Sequence, residues 1–146
     1  VPAMIAVKPQ PPILLVEDNP TDMDLTLRAF NKRKFSSTIH VARDGEEALA
    51  WMARWEAGEG LPSVILLDLN LPRVHGLDVL QQLKDHPRFR RIPVVILTSS
   101  REDSDLKSAY DLGVSSYIEK PVSFSKFIEV AERIELYWCV LNERPY

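Results

Sequence analysis

The sequence predicts an α/β fold, a (βα)5 flavodoxin-like doubly wound parallel sheet with strand order 2-1-3-4-5. Two observations lead there. Short runs rich in branched apolar residues, Ile13-Leu14-Leu15-Val16, Val64-Ile65-Leu66-Leu67 and Val94-Val95-Ile96-Leu97, read as strands buried on both faces. Between the strands lie stretches with helical period, so strand and helix alternate five times. Right-handed crossovers then favour a parallel sheet with helices on both sides, and 2-1-3-4-5 is the natural closure.

The elements follow in order. Residues 1–11 hold Pro2, Pro9 and Pro11 and read as a flexible Pro-rich arm ahead of a domain spanning 12–146. After the first strand, Asn19-Pro20 reads as N-cap and N1 of a helix with Met23, Leu27 and Phe30 inward. Thr38 to Ala42 turns Ile39 and Val41 to one side, as a strand does. Asp44-Gly45 opens a second helix, with Leu49, Met52 and Trp55 inward. A loop ending Leu61-Pro62 leads into the third strand. Gly76 to Asp85 is a third helix using Leu80 and Leu83, ended by His86-Pro87. The fourth strand precedes a helix from about Glu102 to Leu112, with Gly113 at its C′ position. Ser116-Tyr117-Ile118-Glu119 is the fifth strand. One long helix then carries Phe124, Phe127, Ile128, Ala131, Ile134, Trp138 and Leu141 at helical spacing.

Length and composition bound the function. The chain has 146 residues, which suits one domain with one core. It is 45% hydrophobic and 27% charged, as expected of a soluble globular protein. No apolar run approaches the roughly 20 residues a membrane span needs. No signal peptide is visible, and the single cysteine, Cys139, fits a reducing cytoplasm. A net charge of −3 argues against nucleic acid as a partner. The cluster Arg88, Arg90 and Arg91 reads as a solvated loop.

Chemistry gathers where the strands end. Glu17-Asp18, Asp68, Thr98 and Lys120-Pro121 each close or follow an expected strand, and ligand groups collect at the carboxyl edge of open α/β sheets. Three carboxylates, one hydroxyl and one ammonium should converge there. The carboxylates repel unless a cation sits among them, and oxygen-only ligands favour Mg²⁺ over zinc. A lysine and a hydroxyl beside that cation suit a bound phosphoryl group. A carboxylate in this setting can attack phosphorus and form an acyl phosphate, and Asp68 is the candidate. The plainer readings are an Asp that merely ends a strand and an acidic pair that suits a helix dipole.

The segments Leu14-Leu15-Val16-Glu17-Asp18-Asn19, Leu66-Leu67-Asp68-Leu69-Asn70-Leu71-Pro72, Val95-Ile96-Leu97-Thr98-Ser99-Ser100 and Lys120-Pro121 together resemble the receiver domain of bacterial two-component response regulators. The resemblance covers roughly residues 12–141. It implies a phosphoacceptor signalling protein rather than an enzyme, phosphorylated on Asp68 by a sensor histidine kinase and switching its contacts with a downstream protein. It implies Mg²⁺ held directly by Asp18 and Asp68, through water by Glu17, and by the backbone carbonyl of Asn70. It gives the Thr98 hydroxyl and Lys120 to the phosphoryl oxygens, and to Lys120-Pro121 a cis peptide bond. Tyr117 takes the place of the family's aromatic switch, moving with Thr98.

A narrower resemblance rests on Asp44-Gly45, the loop ending Leu61-Pro62, the run Arg91-Ile92-Pro93-Val94 through Ser100, and the tail Tyr137-Trp138 to Pro145-Tyr146. These are similar to the single-domain regulators paired with bacterial and cyanobacterial phytochromes. The expected kinase is therefore a red-light sensor. The expected assembly is a homodimer through the Glu102–Leu112 and Phe124–Leu141 helices and the strand between them.

Two other classes fit part of the pattern. An aspartyl-nucleophile phosphatase usually carries a second Asp two residues after the first, where Asn70 stands. A pseudo-receiver that only binds partners has no need of the full set Glu17, Asp18, Asp68, Thr98 and Lys120. His40, His75 and His86 lack metal-ligand spacing and read as surface or structural residues. Trp51 and Trp55 read as packing.

Overall fold

Aliphatic runs of four residues cannot leave either side in water, so they assemble where both faces can be covered. The computed structural model describes residues 11–32, 38–98, 103–120 and 123–133. Five strands, β1 (Ile13–Val16), β2 (Ile39–Ala42), β3 (Val64–Leu67), β4 (Val94–Thr98) and β5 (Ser116–Glu119), form one parallel sheet in the order β2-β1-β3-β4-β5. This is the order the sequence predicts. β1 and β3 are buried along their whole length, whereas the edge strands β2 and β5 are largely half-exposed. Their sequences differ accordingly: β1 and β3 are wholly aliphatic, while β5 reads Ser-Tyr-Ile-Glu.

The helices are α1 (Pro20–Lys32), α2 (Gly45–Glu56), α3 (Gly76–Asp85), α4 (Asp103–Asp111) and α5 (Phe124–Arg133). Ile13, Leu15, Leu66, Val95 and Leu97 meet Met23, Ala29 and Phe30 of α1 and Ala131 of α5 on one side of the sheet. Leu14, Val16, Ile65, Leu67 and Ile96 meet α2, α3 and Ala109 of α4 on the other. Each fully buried Leu or Phe in these layers contributes about 1.5–3 kcal/mol over an exposed one. The stripe on α2 keeps Met52 and Trp55 as expected but uses Ala48 in place of Leu49. Ala48 and Trp55 are buried with Met52 packed beside them, and Leu49 is only half-buried. Ala48, Met52 and Trp55 keep the i, i+4, i+7 spacing, but an alanine gives a weak core signal in sequence.

Caps set the helix starts. Asn19 Oδ1 accepts from Thr21 N at 2.9 Å and Asp22 N at 3.0 Å, so Asn19 is the N-cap expected of α1. Asp44 caps α2 by accepting from Glu47 N at 2.8 Å. Gly113 follows α4 with φ +85°, as a C′ glycine does. The three histidines are structural. His75 Nδ1 accepts from Leu77 N at 3.1 Å, His40 stacks on Trp51 at 4.4 Å, and His86 stacks on Phe89 at 3.6 Å while pairing with Glu56. Trp55 is buried edge-on to Phe89, consistent with packing.

Residues 1–10 of the expected arm, the last helix beyond Arg133 and Cys139 lie outside the described residues. Among those described, no helix is long and apolar enough to cross a membrane.

Candidate functional site

β1, β3 and β4 lie side by side, so their carboxyl ends open on one edge of the sheet. Glu17 extends β1 through its N–H to Ala42 O at 3.0 Å, and Asp68 extends β3 through its N–H to Val16 O at 3.0 Å. Those two bonds place the two carboxylates next to each other. Lys120 directly follows β5, whose Glu119 pairs in register with Thr98 at the end of β4. The backbone therefore brings Glu17, Asp18, Asp68, Thr98 and Lys120 to one edge. The Thr98 hydroxyl and Pro121 lie outside the described residues, and with them the expected cis peptide bond.

Glu17, Asp18 and Asp68 each offer a carboxylate oxygen, and these oxygens lie within 4.8 Å of one another. Octahedral Mg²⁺ with bonds near 2.1 Å holds its ligand oxygens about 3 to 4 Å apart, so small side-chain movements would close this set around the ion. The donor set is all oxygen, which suits Mg²⁺ or Mn²⁺ and not a thiolate-loving metal. Glu17 and Asp68 are buried, while Asp18 is exposed and faces the solvent from which a hydrated ion arrives.

Backbone groups orient the carboxylates. Glu17 Oε2 accepts from Asn19 N at 3.2 Å, and Asp68 Oδ1 accepts from Asn70 N at 2.9 Å. The second bond folds the chain after Asp68 back over its own side chain, bringing Asn70 beside the carboxylate. Gly76 closes this corner from below. Its N–H donates to Leu69 O at 2.8 Å, and a Cβ there would stand 2.4 Å from Asp68 O.

Lys120 is buried among carboxylates. Its Nζ donates to Glu17 Oε1, to Asp68 Oδ2 at 3.0 Å and to Asp22 Oδ2 at 2.8 Å. Burial works against its positive charge, but hydrogen bonds to Asp22 and Glu17 and the charges of Asp68 and Glu17 outweigh burial and hold the ammonium above its ordinary range. For Glu17, burial is the largest influence and pushes its carboxyl up to about 7. The hydrogen bond and charge of Lys120 oppose that rise, and the charge of Asp68 adds to it. One ammonium shared by several carboxylates cannot hold all of them ionised at no cost, and the deepest of them bears the cost.

Asp22 was not singled out by the sequence. Three residues after the N-cap, an acid reads as a helix-dipole residue, and that reading hides its reach toward Lys120. The only sequence signal is its spacing, one helical turn past Asp18. Tyr117 is half-buried and packs against the core layer that includes Ala109 of α4.

Comparison with known proteins places these features in a family. Residues 13–132 match the family described as the response regulator receiver domain. FilR2 of Methanothrix harundinacea, a probable methanogenesis regulatory protein, is 46% identical over 134 residues, covering 91% of this chain and 86% of its own. The solved structure of the phosphorylated cyanobacterial phytochrome response regulator RcpA aligns with TM-score 0.83 and 36% identity, covering 93% of this chain and 99% of that one. The Mn²⁺-bound form of Rcp1, a response regulator of Synechocystis sp., aligns with TM-score 0.81 and 33% identity over the same shares.

Proposed function

We propose, from the premise that this chain belongs to the response regulator receiver family, that it takes a phosphoryl group onto Asp68 from a sensor histidine kinase and thereby switches its protein contacts. The observation that carries the proposal is the meeting of Glu17, Asp18, Asp68 and Lys120 at one sheet edge. In the transfer, an Asp68 carboxylate oxygen forms a bond to phosphorus as the P–N bond of the kinase's phosphohistidine breaks. The departing imidazole keeps the bonding electron pair, and the product is an acyl phosphate. Before a cation binds, Asp68 is held by Asn70 N and Lys120 Nζ, one on each oxygen.

Glu17, Asp18 and Asp68 with the Asn70 carbonyl are the groups that would hold Mg²⁺. Bound there, the ion supplies neutralisation of charge between the incoming phosphoryl oxygens and the acidic site. Lys120 gives its ammonium to a phosphoryl oxygen once Asp68 is modified, and the Thr98 hydroxyl donates to another. Tyr117 then turns on the α4 side of the sheet, altering the surface of α4, β5 and α5. That surface engages a second copy of this chain and a downstream protein. The kinase is a red-light sensor of the phytochrome class, a reading supported by the likeness to RcpA. The name of FilR2 points to a different physiology on a similar domain.

Incubation with acetyl phosphate and Mg²⁺ tests the core of this reading. A stable gain of one phosphoryl mass is expected. Turnover of many equivalents without a mass gain would identify a phosphatase, and no reaction with acetyl phosphate or any histidine kinase would identify a phosphate-independent binding module.

A further inference from the structure

Lys120 has three N–H donors and three carboxylate partners. Two of the partners are already committed elsewhere. Glu17 and Asp68 belong to the trio whose oxygens are close enough to share a cation, and Asp68 is also the proposed acceptor. Asp22 stands outside that trio, and its carboxylate meets Lys120 from the first turn of α1. Its backbone is fixed there. Asp22 N donates to the Asn19 side chain at 3.0 Å, and Thr26 Oγ1 donates to Asp22 O at 2.8 Å.

We propose that Asp22 is a positioning residue that anchors the Lys120 ammonium on the α1 side of the site, so that Lys120 does not compete with the divalent cation for Glu17 and Asp68. This deepens the functional reading above and rests on it. When Glu17 and Asp68 turn their oxygens to a cation, Lys120 loses two of its three partners. A buried ammonium stripped of every carboxylate would oppose that turn strongly. Asp22 leaves it one partner, and the ammonium stays beside Asp68, within reach of an arriving phosphoryl oxygen. Without Asp22, Lys120 is held by Glu17 and Asp68 alone, and the cation must displace it.

Mg²⁺ titration calorimetry on four proteins tests this: wild type, Asp22→Asn, Lys120→Gln and the double variant. Lys120→Met replaces Lys120→Gln should the latter fail to fold. In the wild-type background, Asp22→Asn is expected to weaken Mg²⁺ binding about fivefold, within the coupling found for residues in one ion-pair network. In the Lys120→Gln background the same change is expected to have little effect. An equal loss in both backgrounds would show that Asp22 acts on the cation by its charge directly, and would overturn the proposal. So would unchanged affinity in Asp22→Asn, with or without a lower melting temperature, since a helix-terminus role moves stability alone. Failure of the wild type to bind Mg²⁺ at all would instead overturn the reading of the site on which the proposal stands.

Discussion

Glu17 and Asp18 are chain neighbours with opposite surroundings. Glu17 is 1% exposed and bound to Lys120, while Asp18 stands in solvent. Alternation at a strand end produces that contrast, so both residues were legible as site residues but the difference between them was not. Its consequence is a pH dependence. In the metal-free protein burial raises Glu17 to about 7 from an ordinary 4.5, so folding takes up a proton between those values. The stabilisation from that proton is fully present below about pH 4.5 and is lost as pH rises through about 7. With a chelator present, melting temperature should fall more between pH 5 and pH 8 in the wild type than in Glu17→Gln. Equal falls in both would contradict the assignment. A cation favours the ionised form, so Mg²⁺ affinity should rise over the same interval. Asp22 is the residue that sequence reading passed over, because an acid in a first helical turn has an ordinary explanation.

Among the elements, strands were the most legible part. β1, β3 and β4 each carry a four-residue aliphatic run that has no other stable place than the middle of a sheet. Helix starts were legible where a cap residue marks them, as at Asn19 and Asp44. Close approaches were not legible, because sequence does not show what a glycine faces. Gly76 read only as the start of α3, yet its missing side chain lets that helix rise against the backbone of Asp68. Gly45 does the same for α2, where a Cβ would meet Val74 O at 2.2 Å. The Gly45 contact, with the Arg73–Asp44 ion pair at 3.3 Å, holds the loop after the acceptor against α2. Arg73 adopts φ 69° there, a left-handed backbone that costs an arginine about 1 kcal/mol or more. Gly76→Ala should destabilise the fold by about 1–3 kcal/mol, as overpacking against rigid backbone does. It should also lower Mg²⁺ affinity, since Asp68 must move. Urea unfolding and calorimetry read the two effects, and wild-type values for both would show that the corner yields freely.

At the scale of the whole molecule, strand order followed from alternation of strand and helix together with the handedness of crossovers, which leaves few closures. What lies on the surface of α4, β5 and α5 was less legible, since aromatic residues there read equally as core or as interface. Tyr110 on α4, one of the elements proposed for pairing, is 58% exposed, a large aromatic side chain standing in water. We expect a two-fold symmetric homodimer through the α4, β5 and α5 surface, with Tyr110→Ala and Tyr117→Ala both weakening it. Light scattering with and without a phosphoryl mimic measures this. A monomer at tens of micromolar in both states would refute the dimer. Dimerisation only with the mimic would make the interface itself the output of the switch.

Every step proposed for this sheet edge depends on Asp68 as the phosphoacceptor. Peptide mass mapping after reaction with acetyl phosphate and Mg²⁺, run beside a folded Asp68→Asn variant, tests that role most directly. One phosphoryl group on Asp68 in the wild type and none in the variant is the result expected. Full labelling of Asp68→Asn, or a phosphoryl group located on any other carboxylate of the wild type, would contradict it.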